Sequence, residues 1–177
     1  MLIFLIGYMG CGKSTIGRKL SKRLRWSLVD TDAQIESREG MSVGEIFDTQ
    51  GEPRFRELER ECVEELVASG RNLIVSTGGG LPIWGDNMEL LNSVGETIYI
   101  ARTAENIASR LSAAGRYKRP KLRGLSDEEL VSFMAKNISE RAPKYSMAKL
   151  VIEAVSMSDN EILDTIEAHV EISKNRV

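Results

Sequence analysis

Short apolar runs alternate along the chain with longer stretches in which apolar residues recur every three or four positions. The first run, Leu2–Ile6, is continuous and closed by Gly7, which is the pattern of a buried strand. Over Lys13–Arg25 the recurrence of Ile16, Leu20 and Leu24 predicts a helix, and Ser27–Val29 reads as a second short strand. Ser42 with Glu45 has capping-box spacing ahead of Val43, Ile46 and Phe47. Pro53 suits the first turn of the next helix, whose apolar face is Phe55, Leu58, Cys62, Val63 and Leu66, with Gly70 as its stop. Asn72–Ser76 is a third strand, a short helix covers Asp86–Leu91, and Thr97–Ala101 is a fourth strand. A helix from Thr103 carries Ile107 and Leu111. Periodicity then breaks over Gly115–Gly124. Ser126 with Glu129 opens a helix through Leu130, Phe133, Met134 and Ile138. Leu150–Ile152 is a fifth strand, and Ser158 with Glu161 caps a last helix through Ile162, Ile166 and Val170. Strands alternating with helices predict an α/β fold, a mostly parallel sheet with helices on both faces. Ligands in such sheets bind beyond the carboxyl ends of the strands, which directs attention to the residues after Ile6, Val29, Ser76 and Ala101.

No repeat, low-complexity tract or flexible linker divides the pattern. Residues 1–177 are therefore expected to form one domain, long enough to bury a core without staples. Lys and Arg number 24 against 26 Asp and Glu, a net charge of −2. That balance argues against a nucleic-acid binder. No stretch approaches the ~20 apolar residues of a membrane span, so no membrane partner is expected. Leu2–Ile6 lacks the basic flank and cleavage pattern of a secretory signal. Cys11, Cys62 and His169 have no metal-ligand spacing, and so few cysteines suit a reducing, cytoplasmic compartment. No heptad or long apolar edge demands a partner chain, so a monomer is the expectation.

The first strand runs into Gly7-Tyr8-Met9-Gly10-Cys11-Gly12-Lys13-Ser14-Thr15, a full match to G-x-x-x-x-G-K-[ST] between a strand and a helix. Glycines let backbone N–H groups converge on an anion, and the helix that follows presents its positive end to it. Lys13 is placed to bridge the outer phosphates of a nucleotide and the Ser14 hydroxyl to ligate Mg²⁺. Nothing pairs Cys11 with Cys62, so Cys11 reads as a small loop residue.

The second strand leads into Asp30-Thr31-Asp32. If the strand continues, both carboxylates project the same way from the sheet edge. The third strand ends in Ser76-Thr77-Gly78, without the Asp of a standard Walker B strand. Asp30 is therefore the candidate for the magnesium shell, and Asp32 for accepting the proton of an attacking hydroxyl. Arg56 and Glu59, three apart on one helix, are either a surface ion pair or a fixed fork for a substrate carboxylate. Gly78-Gly79-Gly80 is either a flexible turn or a place where backbone meets a ligand. Arg116, Lys118, Arg119, Lys121 and Arg123 crowd one glycine-bounded loop, which is either solvated or a lid over the transferring phosphoryl group. Arg141, by itself, is a cation near a helix C-terminus.

In this order and spacing, Gly7–Thr15, Asp30-Thr31-Asp32, Gly51-Glu52 with Phe55-Arg56 and Glu59, Gly78–Gly80, Arg119-Pro120, and Arg141 with Tyr145 resemble the shikimate kinase family over nearly the whole chain. The resemblance implies a three-layer P-loop kinase fold with parallel strand order 2-3-1-4-5, an acceptor region near 32–60 and a lid near 112–124. It implies ATP-dependent phosphorylation of the shikimate 3-hydroxyl, in the pathway to chorismate and the aromatic amino acids. Carried over by position, Gly10, Cys11, Gly12, Lys13, Ser14, Thr15 and Arg119 serve ATP, and Ser14 and Asp30 serve Mg²⁺. Asp32, Arg56, Gly78, Gly79, Gly80 and Arg141 contact shikimate between Phe47 and Phe55, with Glu59 orienting Arg56. Lys13, Asp32 and Arg119 are the implied catalytic set. The chain departs from the family at Ser112–Gly115 and Ser156–Asp159, where arginines that pack near the adenine are often found. An adenine contact then falls to Arg110, Arg116 or another group. Gluconate and nucleotide kinases share the fold and are the nearest alternatives; a paired-arginine clamp argues against a base-reading acceptor pocket. A nucleotide-dependent switch would need the missing Walker B Asp.

Overall fold

The computed structural model describes residues 1–111, 122 and 124–175. Five strands form one parallel sheet in the order β2-β3-β1-β4-β5, with β1 at Leu2–Ile6, β2 at Ser27–Asp30, β3 at Leu73–Ser76, β4 at Glu96–Ala101 and β5 at Leu150–Glu153. The central strand β1 is buried at every position, as its unbroken apolar run requires, whereas the edge strands β2 and β5 alternate or stay half-exposed. Helices α1 (Lys13–Leu24), α2 (Thr31–Glu39), α3 (Val43–Ala68), α4 (Asn87–Val94), α5 (Ala104–Arg110), α6 (Asp127–Tyr145) and α7 (Asp159–Lys174) complete the described elements, with a 3₁₀ turn at Leu81–Ile83. Among the described residues no helix is long and apolar enough to cross a membrane.

The three predicted capping boxes are all formed. Ser42, Ser126 and Ser158 each accept from the backbone of a glutamate three residues on, and that glutamate reaches back. Phe55, Leu58, Cys62, Val63 and Leu66 are buried along α3, as their spacing requires. Helix α3 is two helical segments joined at Gly51, whose φ of 82° and ψ of 167° interrupt the helix. Glu52 and Pro53 then open the second segment, consistent with the proline preference for a first turn.

One expectation is corrected. The second strand does not continue through Asp32. It stops at Asp30, which caps α2 by accepting from Ala33 N at 3.4 Å. Asp32 lies in the first helical turn, so Asp30 and Asp32 are not related by the two-residue period of a strand.

Candidate active site

The carboxyl ends of β1, β2 and β3 meet on one side of the molecule. The register sets Asp30 opposite Ser76, and Ser76 opposite Leu5, so the loops after all three strands converge. A cavity of about 430 Å³ opens there, lined by the phosphate loop, Asp30, Asp32, Ser76–Gly79, Arg110 and Leu111. Gly10 and Gly12 have φ of 82° and 109°. Side-chain-bearing residues resist that conformation, which is how the loop turns successive amides inward. Gly12 caps α1, placing the helix N-terminus on the cavity. Lys13 is nearly buried, and its Nζ donates to Gly7 O at 2.7 Å and Tyr8 O at 3.1 Å. The Cys11 side chain is buried, its N–H donates to Tyr8 O at 3.2 Å, and it does not line the cavity.

Ser14 Oγ donates to Asp30 Oδ2 at 3.2 Å and lies 3.4 Å from Ser76 Oγ. This all-oxygen corner matches the hard donors that Mg²⁺ prefers. Among the described residues no cluster of three or more His, Cys, Asp or Glu could hold a metal unaided.

Deeper in, Asp32 and Glu59 converge on Gly78. A Cβ at Gly78 would stand 2.5 Å from Asp32 Oδ1 and 2.7 Å from Glu59 Oε1, and neither oxygen has a hydrogen-bond partner. Gly78 N donates to Thr31 Oγ1 at 2.9 Å, holding this strip against α2. Burial pushes the Asp32 carboxyl up to about 6, helped by Asp30 and opposed by Lys13. Burial also pushes Glu59 up, against the pull of Arg56.

Arg56 Nη1 donates to Glu59 Oε2 at 2.6 Å, and its Nη2 donates to Glu52 at 2.7 Å. Glu59 is completely buried, so the pair is no surface ion pair. Burial pulls Arg56 down, but Glu59 and Glu52 outweigh it and hold the guanidinium above its ordinary value. A Cβ at Gly80 would collide with that guanidinium. Phe47 and Phe55 pack with tilted rings, 4.9 Å between centroids, beside it, with Arg56 Cζ 5.8 and 5.6 Å from the ring centroids. From the other flank, Arg141 Nη1 reaches Gly79 O at 3.4 Å, and Tyr145 Oη donates to the same carbonyl at 2.6 Å. Burial raises Tyr145 to about 12, so it remains a donor at any working pH. The glycine strip thus lies between two arginines, with Arg56 beside Gly80 and Arg141 bonded to Gly79. Arg119 and its neighbours Arg116, Lys118, Lys121 and Arg123 lie outside the described residues.

The family model for shikimate kinase matches residues 9–171. The chain belongs to the shikimate kinase family. The shikimate kinase of Parabacteroides distasonis is 40% identical over 171 residues, covering 96% of this chain and 98% of that protein. The crystal structure of shikimate kinase from Bacteroides thetaiotaomicron superposes with a TM-score of 0.87 at 35% identity, over 97% of this chain and 98% of that one. Shikimate kinase from Acinetobacter baumannii, solved in complex with shikimate, superposes with a TM-score of 0.82 at 30% identity, over 98% and 94% of the two chains. The observed strand order is the one that membership in the shikimate kinase family implied.

Against that family pattern, the structure adds one residue that sequence reasoning missed. Trp84, half-exposed, stands 5.9 Å from Arg56 Cζ and lines a groove of about 450 Å³ with Arg56 and Arg60. Its only signal in the sequence is a tryptophan shortly after the three glycines. Arg110 also lines the main cavity, 3.8 Å from where a Cβ on Gly12 would be.

Proposed function

We propose that this chain transfers the γ-phosphate of ATP to the 3-hydroxyl of shikimate, giving shikimate 3-phosphate and ADP. The observation that carries this reading is the buried Arg56–Glu59 pair, held beside Asp32 against a glycine strip that itself lines the phosphate cavity. An arginine fork fixed in this way suits a carboxylate, and Arg141 supplies a second cation on the opposite flank. Together they orient a carboxylate-bearing ring so that a hydroxyl faces Asp32.

Asp32 accepts the hydroxyl proton as the new O–P bond forms and the bond to the β,γ-bridging oxygen breaks. Its raised pKa keeps it mostly ionised near neutrality yet basic enough to take that proton. Lys13 leaves the loop carbonyls for the phosphates, and Arg119 neutralises the charge that develops. Ser14, and Asp30 directly or through water, would hold Mg²⁺, which would offset the charge of the triphosphate. Phe47 and Phe55 exclude water from the acceptor side. Arg110 contacts the adenine where the family arginines near Ser112 and Ser156 are absent. Residues 1–177 act as one monomeric unit in the cytoplasm, in which free Cys11 and Cys62 are at home.

ADP release measured in parallel with shikimate, gluconate and nucleoside monophosphates tests the proposal. Release should require shikimate. Equal or faster release with gluconate or a nucleotide would transfer the chain to another acceptor, and release independent of all three would leave it an ATPase.

A further inference from the structure

Arg102, the residue directly after β4, plays no part in the site as described, yet it is only 6% exposed. Its Nε donates to Cys11 O at 3.0 Å, and its Nη1 donates to Asn106 Oδ1 at 2.9 Å and to Ala154 O. Cys11 lies in the phosphate loop, Asn106 on α5, and Ala154 just past β5, so one guanidinium joins three separate segments. Among the described residues it makes no ion pair with a carboxylate. Desolvation lowers its pKa and nearby Arg110 lowers it further, against a smaller opposing pull from Cys11 and Asp159. A buried cation with no carboxylate in direct contact is costly, and three neutral acceptors with the more distant charge of Asp159 only partly offset that cost.

The peptide plane explains what the contact does. In a trans peptide the carbonyl of Cys11 and the N–H of Gly12 point in opposite directions. Cys11 O is held downward, towards Arg102, so Gly12 N–H is turned upward, towards the cavity that Gly12 lines. Gly12 has a φ of 109° and no Cβ, and nothing in its own side chain fixes that plane. A loop of this kind would otherwise rock between orientations, which weakens every amide contact to an anion.

We propose that Arg102 is a positioning residue for nucleotide phosphates, acting through the Cys11–Gly12 peptide and adding its positive charge beneath the loop. The inference rests on the nucleotide reading of the phosphate loop. Shikimate recognition does not enter it, because Arg102 touches none of the residues of the acceptor strip.

Arg102→Met keeps the length of the side chain and removes both charge and donors. Arg102→Lys keeps the charge but cannot reach three acceptors at once. Titration calorimetry with ADP and Mg²⁺ should show affinity reduced about tenfold in Arg102→Met, the share of one charge-assisted hydrogen bond, with a smaller loss in Arg102→Lys. Shikimate affinity should stay within about twofold of the wild type in both, since additivity holds for sites without shared partners. In amide NMR spectra, the Gly12 resonance should shift strongly when ADP is added to the wild type and much less in the variants. If either folded variant binds ADP as tightly as the wild type with the same Gly12 shift, Arg102 has no positioning role. If Arg102→Met does not fold, Arg102→Lys decides the matter alone. A wild type that fails to bind ADP would overturn the nucleotide reading and this inference together, whereas wild-type-like variants overturn the inference only.

Discussion

At the scale of single residues, the site is a set of charges whose partners are chosen by burial. An exposed Arg–Glu pair three residues apart contributes about 0.3 kcal/mol. Glu59 has no exposure at all, so removing Arg56 strands a buried carboxylate and leaves the strip without its fork. Arg56→Ala should therefore raise KM for shikimate by about a hundredfold, a loss of roughly 3 kcal/mol typical of a broken charged hydrogen-bond pair. KM for ATP should stay within about twofold, because Arg56 lies outside the phosphate cavity. Glu59→Gln should give the same pattern in weaker form, since the guanidinium remains but is no longer held. Separate KM determinations for the two substrates distinguish this from general destabilisation, which would lower active enzyme for both alike. Equal changes in both KM values would remove Arg56 from the acceptor side.

At the scale of elements, the sequence was legible wherever local chemistry and periodicity agreed. Strand β1, the phosphate loop, the three capping boxes and the buried face of α3 all carry their own signals within ten or so residues. Helix α2 does not. Thr31–Glu39 buries only Thr31 and Ile35, so it has too narrow an apolar stripe to announce itself, and the pattern leaves open whether the strand continues through Asp30-Thr31-Asp32. The depth of Glu59 and the role of Arg102 were illegible for a different reason. Their partners lie on other elements, and a charge run looks the same whether it ends in solvent or under a loop. Gly51 illustrates how an element boundary carries function. Its φ of 82° and ψ of 167° are a conformation available almost only to glycine, and it sets the direction in which Phe55 and Arg56 leave the turn. A Cβ there would meet only Pro53 Cδ at 3.7 Å, so the cost of a substitution is strain, not collision. Gly51→Ala should lower stability by about 1–3 kcal/mol. It should also raise KM for shikimate several-fold, with ATP binding unchanged. Denaturant unfolding and the two KM values check this; a variant as stable as the wild type would mean that the kink relaxes freely.

At the scale of the whole molecule, the acceptor site is a source of instability that the core must outweigh. Asp32 is held largely out of water with an unpartnered oxygen, and burial lifts its carboxyl to about 6. In the unfolded chain it titrates near 4. Between these values the folded protein binds a proton that the unfolded chain does not, so acidification through that window favours the folded state. Above pH 6 both states are ionised, and the folded one bears the full penalty of a desolvated charge. The sign is thus opposite to that of a salt-bridged aspartate, which loses stability in acid. Asp32→Asn carries no charge at any pH and should be more stable than the wild type by on the order of 2 kcal/mol at pH 8. That advantage should shrink steadily as the pH falls from about 6 towards 4. The same substitution removes the proton acceptor, so turnover should drop by about a hundredfold or more while both substrates still bind. Urea unfolding of the two proteins at pH 8, 6 and 5, paired with turnover assays, measures both halves. A gap in stability that stayed constant with pH would show that Asp32 is not ionised at a cost in the folded protein. A stable but fully active Asp32→Asn would separate the buried charge from the chemistry. Stability gained and turnover lost by one substitution would mean that this fold spends part of its core's surplus keeping a reactive carboxylate out of water.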